Sequence, residues 1–146
     1  MQNCNDNTLY NNYVLNTFKT RWATYKIAYH IILIPKYRRR ILQGDVQKEF
    51  KHLILDCCKR NGMVLLAVET DEDHAHLFIS APPRMSPSSI VNLVKGYTSI
   101  WLRRKFEKLK RDCGKDALWS KTYYVGTAGS VAAETIMKYI YRSKGH

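Results

Sequence analysis

The order of apolar runs and amphipathic segments predicts an α+β fold. The expected core is a four-stranded antiparallel sheet in the ferredoxin-like (RRM-like) arrangement with two helices on one face, and a C-terminal helix follows it. Three observations carry this. Short β-branched or aromatic runs are bounded by Pro, Gly and polar turns, and two long segments between them repeat apolar residues at helical spacing. The elements alternate strand, helix, strand, strand, helix, strand before a last helix, which is the split βαβ pattern.

Residues 1–20 are polar and crowded with Asn3, Asn5, Asn7, Asn11, Asn12 and Asn16, and are expected to form a flexible tail. Residues 21–146 are expected to form one domain. Tyr25 to Ile34 is a dense apolar run stopped by Pro35, read as a buried strand. Val46, Phe50, Leu53, Ile54, Cys57 and Cys58 recur on one helical face after Asp45, and Asn61-Gly62 is a stop signal. Met63 to Val68 and His74 to Ala81 are strands around a polar turn at Thr70 to Asp73, and should pair as a hairpin. Ser86-Pro87 supplies a helix cap with proline in the first turn. Ile90, Leu93, Val94, Tyr97 and Trp101 then read as the apolar stripe, with Ser88, Asn92, Lys95, Ser99 and Arg103 on a polar one. Lys121 to Val125 is the fourth strand, Gly126 to Gly129 a turn, and Ser130 caps a last helix, expected over 130–142.

Totals bound the function. The 146 residues carry 24 Lys plus Arg against 12 Asp plus Glu, a formal net charge of +12. So basic a domain points to polyanions, most often nucleic acid. No apolar run approaches the roughly 20 residues that span a bilayer, and the first twenty residues lack a signal-peptide core. A cytoplasmic, DNA-associated protein without a membrane partner is therefore expected. Cys4, Cys57, Cys58 and Cys113 form no C-x-x-C pair, which argues against a zinc framework and for free thiols.

Three groups of residues carry candidate chemistry. His74 and His76 are two apart on an expected strand, so both imidazoles project from one sheet face while Ala75, Leu77 and Ile79 project from the other. Such a pair can bind one divalent metal, though two ligands are an incomplete site and strand histidines are common. Glu72 and Asp73 stand where they could orient an imidazole or simply decorate the turn. Tyr139 shares a face of the last helix with Ala132, Thr135 and Ile136, a spacing that fits a core residue equally well. Lys36, Tyr37, Arg38, Arg39 and Arg40 form a basic loop after the first strand, and Lys95, Ser99 and Arg103 lie on the long helix. Against so large a charge excess, these read as DNA-binding residues.

Taken together, four segments resemble one family. Tyr29-His30-Ile31-Ile32-Leu33-Ile34-Pro35-Lys36-Tyr37-Arg38-Arg39-Arg40 resembles its first-strand signature. Asp73-His74-Ala75-His76-Leu77-Phe78 resembles its His-hydrophobic-His (HUH) motif. Leu118 to Gly129 resembles its fourth-strand signature, and Glu134-Thr135-Ile136-Met137-Lys138-Tyr139-Ile140 its tyrosine helix. The family is the single-tyrosine HUH transposases (TnpA) of the simplest insertion sequences, and the resemblance covers roughly residues 22 to 141.

The resemblance implies an enzyme that cleaves and rejoins single-stranded DNA at element ends through a 5′-phosphotyrosine link to Tyr139. It implies Mg²⁺ or Mn²⁺ held by His74 and His76, recognition of DNA hairpins, and a homodimer in which one subunit's tyrosine helix can complete the other's site. One departure stands out. The family places a glutamine ligand four residues after the tyrosine, where this chain has Ser143, and the sequence stops at His146, where relatives typically continue. Ser143 or His146 is the candidate third ligand, with water or a weakly active copy as the alternatives. Two other readings remain open: a degenerate or domesticated non-catalytic nucleic-acid-binding module, and a phosphohydrolase that uses water in place of tyrosine.

Overall fold

The computed structural model describes residues 18–114 and 117–128. Tyr139, Ser143 and His146, the helix expected over 130–142, and all of the expected tail but its last three residues lie outside that range. Within it the strands are β1 (Phe18–Lys19), β2 (Thr24–Tyr25), β3 (Ala28–Pro35), β4 (Val64–Asp71), β5 (His74–Ser80) and β6 (Trp119–Ala128). The helices are α1 (Gly44–Arg60), α2 (Pro87–Lys105) and α3 (Lys108–Cys113). The short β1 and β2 pair with each other, and the other four strands form one antiparallel sheet in the order β4-β5-β3-β6.

Alternation along the strands sorts residues between two faces. Ile31, Leu33, Leu65, Val68, Ala75, Leu77 and Ile79 join one core with Val46, Phe50 and Ile54 of α1 and Ile90, Val91 and Val94 of α2. Both helices therefore cover the same face. Fully burying each of these large side chains contributes about 1.5–3 kcal/mol. Two polar groups also enter this core. Trp119 Nε1 donates to Thr98 Oγ1 at 2.9 Å, and Thr98 Oγ1 donates to the Val94 carbonyl at 2.7 Å. Pairing in this way removes the penalty of burying an unpartnered indole N–H.

Local signals set the element ends. Ser86 Oγ accepts from the Ser89 amide at 3.1 Å, with Pro87 in the first turn of α2. Gly62 has φ +69°, the left-handed conformation that ends a helix, and the Met63 amide turns back to the Cys58 carbonyl at 2.9 Å. Cys57, Cys58 and Cys113 are buried free thiols. Among the described residues no helix is long and apolar enough to cross a membrane.

Several expectations are corrected. The first strand begins at Ala28 and includes Pro35, which tolerates its missing N–H at a strand end where the ladder to β6 is already irregular. The polar turn shortens to Glu72 and Asp73, because Thr70 and Asp71 still pair with Ala75 and His74. β6 runs on through Gly126 to Ala128, since β3 extends far enough to pair with them. The α2 stripe is rotated. Val91, Thr98, Ser99 and Leu102 are buried, whereas Leu93 and Trp101 are 37% and 46% exposed. Thr98 turns inward because Trp119 needs its hydroxyl, and an apolar Ile90-Val91 pair leaves Leu93 free to face outward.

Candidate functional site

His74 and His76 are alternate residues of β5, on the face away from the helices. Their ring centroids are 5.0 Å apart at an interplanar angle of 79°. Directly opposite them in β4 stand Asp71 and Glu69, so two carboxylates share their face. Asp71 Oδ2 is 3.1 Å from His74 Nε2, and Asp73 Oδ1 is 2.9 Å from His74 Nδ1. Glu69 is only 5% exposed. From β3 comes His30, whose Nε2 is 3.1 Å from His76 Nδ1, the two rings stacked at 5.3 Å. Tyr124 of β6 meets His30 edge-on at 5.7 Å.

Burial pushes the His76 imidazole down to about 4, helped by the neighbouring His30 and His74 and opposed by Asp71. Burial also lowers His30. Both rings are thus neutral near pH 7, the form in which an imidazole nitrogen can bind a metal. Hydrogen bonds from His74 and then Arg38 hold the Asp73 carboxyl below the usual range.

The basic loop is folded onto this corner. Arg38 Nε donates to Asp73 Oδ2 at 3.0 Å, Arg40 lies 3.8 Å from Glu72, and the Leu42 amide donates to the Glu72 carbonyl at 3.0 Å. Tyr37 and Arg38 adopt φ +60° and +52°, a left-handed conformation that disfavours side chains and so stores strain beside the site. Tyr37 is exposed, with Lys36 Nζ 5.3 Å from its ring centre, and Arg39 is exposed as well.

Of the three α2 residues read as DNA contacts, Lys95 reaches across to β6. Its Nζ donates to the Ser120 carbonyl at 2.8 Å and lies 5.5 Å from the Tyr123 ring centre, and burial lowers its pKa. Arg103 Nε donates to the Ser99 carbonyl at 3.2 Å and to Ser99 Oγ at 3.1 Å. Ser99 itself is buried, which removes it from the exposed surface where a polymer would dock. The structure thus brings His74, His76, Arg38 and Arg40 to one corner and places Lys95, Ser99 and Arg103 on the helix layer.

Sequence reasoning missed His30, Glu69 and Asp71 as members of the site. Alternation assigns His30 to the same strand face as Ile32, but its meeting with His76 follows from β3 lying next to β5. As for a cation, the donors present are two imidazoles with carboxylate oxygen beside them. That set fits a borderline ion such as Mn²⁺ better than the all-oxygen preference of Mg²⁺. Among the described residues no group of three His, Cys, Asp or Glu side chains is arranged to hold an ion, so the pair is an open half-site.

Proteins similar to this chain are transposases. It is 34% identical over 121 residues to the transposase for insertion sequence element IS200 of Salmonella typhimurium strain LT2, covering 83% of this chain and 77% of that protein. It is 30% identical over 122 residues to the ISDra2 transposase TnpA of Deinococcus radiodurans, covering 84% and 87%. A crystal structure of a putative transposase from Deinococcus radiodurans superposes with a TM-score of 0.70 at 30% identity, covering 86% of this chain and 96% of that one. A REP-associated tyrosine transposase, solved bound to a REP hairpin, shares the fold with a TM-score of 0.59 at 15% identity, covering 86% and 71%. The chain belongs to the family described as Transposase IS200 like, whose model matches residues 23–143.

Proposed function

We propose that this transposase cleaves and rejoins single-stranded DNA at insertion-sequence ends through a covalent link to Tyr139, with a divalent cation held at His74 and His76. The observation that carries the reading is the histidine pair, with Nδ1 of each ring in a close polar contact. In the reaction, the Tyr139 phenol oxygen attacks phosphorus. The bond to the 3′ oxygen breaks, that oxygen leaves and takes up a proton, and the 5′ side stays on the tyrosine. A phenol has a pKa near 10, so it is a workable leaving group in the reverse attack by a 3′-OH, and rejoining needs no ATP. When bound, Mn²⁺ or Mg²⁺ supplies Lewis-acid neutralisation of the phosphate oxygens. Ser143 or His146 stands as its candidate further ligand.

The chain's own residues supply the rest. Lys36, Arg39 and Arg40 offer cations to phosphates, while exposed Tyr37, Tyr124 and Trp22 offer rings on which bases stack. Arg21 already lies over Trp22, 4.7 Å from its ring centre. A DNA hairpin is the substrate this reading favours, because a protein of the same fold was solved bound to one. The fold is read as ferredoxin-like on the strand order β4-β5-β3-β6, and the sequence pattern alone carries the expectation of a C-terminal helix bearing Tyr139. A homodimer exchanging that helix is the working form implied by the family resemblance.

The test uses labelled single-stranded DNA carrying element ends, with Mn²⁺ or Mg²⁺, run on a denaturing gel. A covalent protein–DNA band that disappears in Tyr139→Phe and in His74→Ala is the expected result. Binding without cleavage would establish a non-catalytic module, and cleavage without an adduct would establish hydrolysis by water.

A further inference from the structure

We propose that His30 is the positioning residue for His76: its Nε2 accepts the proton on His76 Nδ1, which leaves His76 Nε2 with the bare lone pair a cation needs. The inference rests on the metal-dependent reading above, and adds to it a residue from a strand outside the His-hydrophobic-His segment.

The argument starts from one proton. Two imidazole nitrogens 3.1 Å apart share a single hydrogen, and it sits on one or the other. If His30 Nε2 carries it, neutral His76 accepts at Nδ1 and must hold its own proton on Nε2, which then has nothing to donate to a metal. If His76 Nδ1 carries it, Nε2 is free. The state of one ring therefore fixes the state of the other. A metal-binding histidine is ordinarily held in this way, its second nitrogen donating to an acceptor that sets both tautomer and ring orientation.

The same arrangement recurs at the neighbouring histidine with different chemistry. His74 Nδ1 contacts Asp73 Oδ1 at 2.9 Å, and Asp73 Oδ2 is in turn held by Arg38 Nε at 3.0 Å. Both histidines are thus gripped at Nδ1, one by a carboxylate and one by an imidazole, while His74 Nε2 also lies 3.1 Å from Asp71 Oδ2. The sheet dictates where the second grip comes from. Ile32 is paired with His76 and His30 with Phe78, so His30 is the diagonal neighbour of His76 on their shared face. Stacking at 5.3 Å and an interplanar angle of 17° brings the two rings into register. Carboxylate at one ring and imidazole at the other also limits the negative charge built behind the pair, in keeping with a site that must accept a phosphate.

Two variants separate the hydrogen bond from packing. His30→Phe keeps the stacked ring and removes the acceptor, whereas His30→Gln keeps an acceptor oxygen and loses the ring. In metal-free protein, two-bond ¹H–¹⁵N spectra of the imidazoles should show His76 protonated at Nδ1 in the unaltered chain and in His30→Gln, and at Nε2 in His30→Phe. Mn²⁺ titration followed by electron paramagnetic resonance should show affinity reduced roughly 10- to 100-fold in His30→Phe and largely restored in His30→Gln. Finding His76 protonated at Nε2 in the unaltered protein would overturn the proposal, as would wild-type Mn²⁺ affinity in His30→Phe. No Mn²⁺ binding by the unaltered protein, with His76 still protonated at Nδ1, would sink the metal reading and leave the hydrogen-bond assignment standing.

Discussion

The two faces of the sheet are made from the same strands and do opposite work. On the helix-covered face, Ile31, Leu33, Leu77 and Ile79 are fully buried, and the polar Trp119 and Thr98 side chains there are joined in the Trp119–Thr98–Val94 chain. On the other face the surface is graded. Phe78 and Ala28 are buried at one end, and towards the Glu72–Asp73 turn the side chains become His30, His76, His74, Asp71 and Glu69. One face gains from excluding water, while the other holds imidazoles and carboxylates beside a basic loop. Neighbouring residues along β5 belong to opposite systems, so substitutions one position apart should fail in different ways.

The sharpest way to test that division is His76→Ala. It removes one of two imidazoles, and cleavage should fall by more than the roughly 100-fold typical of losing an outer partner. Its denaturation midpoint should stay close to that of the parent. A large loss of stability instead would show that the histidine face is also structural.

Thr98→Val attacks the covered face. It leaves the Trp119 N–H buried without a partner, and urea denaturation should show about 1–3 kcal/mol of lost stability. DNA affinity measured well below the transition should not change.

Acid should act through the histidine face. His76 is held at about 4 in the fold against an ordinary 6.5 when unfolded. Between those values the unfolded chain binds a proton that the folded chain refuses, so stability is full above about pH 6.5 and declines as pH falls towards 4. In His76→Ala this part of the decline should vanish from denaturation curves taken at several pH values.

The smallest effect is expected at Gly126→Ala. A β-carbon there would fall 2.5 Å from the Tyr124 hydroxyl, which lies across the glycine. The hydroxyl is the tip of a side chain that can swing, so stability should change by no more than about 0.5 kcal/mol. The edge contact between Tyr124 and His30 should be lost, visible as a shift of the His30 ring resonances.

Much of this was legible from local pattern. The strand alternation that puts His74 and His76 together needs only two residues of separation, and Ser86-Pro87 and Asn61-Gly62 mark helix ends by their own backbone chemistry. Non-local facts were not legible. His30 meets His76 because β3 lies between β5 and β6, and strand order is not written in either segment. Ser99 reads as a polar surface residue until Trp119, twenty residues on, turns Thr98 and with it the whole stripe inward. The basic loop was visible as charge, yet its docking on Glu72 and Asp73 depends on how the hairpin closes.

The ladder between β4 and β5 slips once, between Leu65 and Ala67, so that Leu65 pairs with Ile79 but Ala67 pairs with Phe78. Leu66 is the supernumerary residue. Its presence reverses the parity of everything after it: counted in twos from Leu65, Glu69 and Asp71 would fall among the helices, and the slip delivers them to the histidines. The acidic half of the site is thus set by the register slip rather than by side-chain identity. A lineage can exchange Leu66, or even lose it, and keep the site, because Leu65 and Ala67 already pair with the adjacent residues Ile79 and Phe78; a strand of the same length that closed the bulge into regular alternation would instead turn two carboxylates into the core and disarm the site without altering a single residue in it.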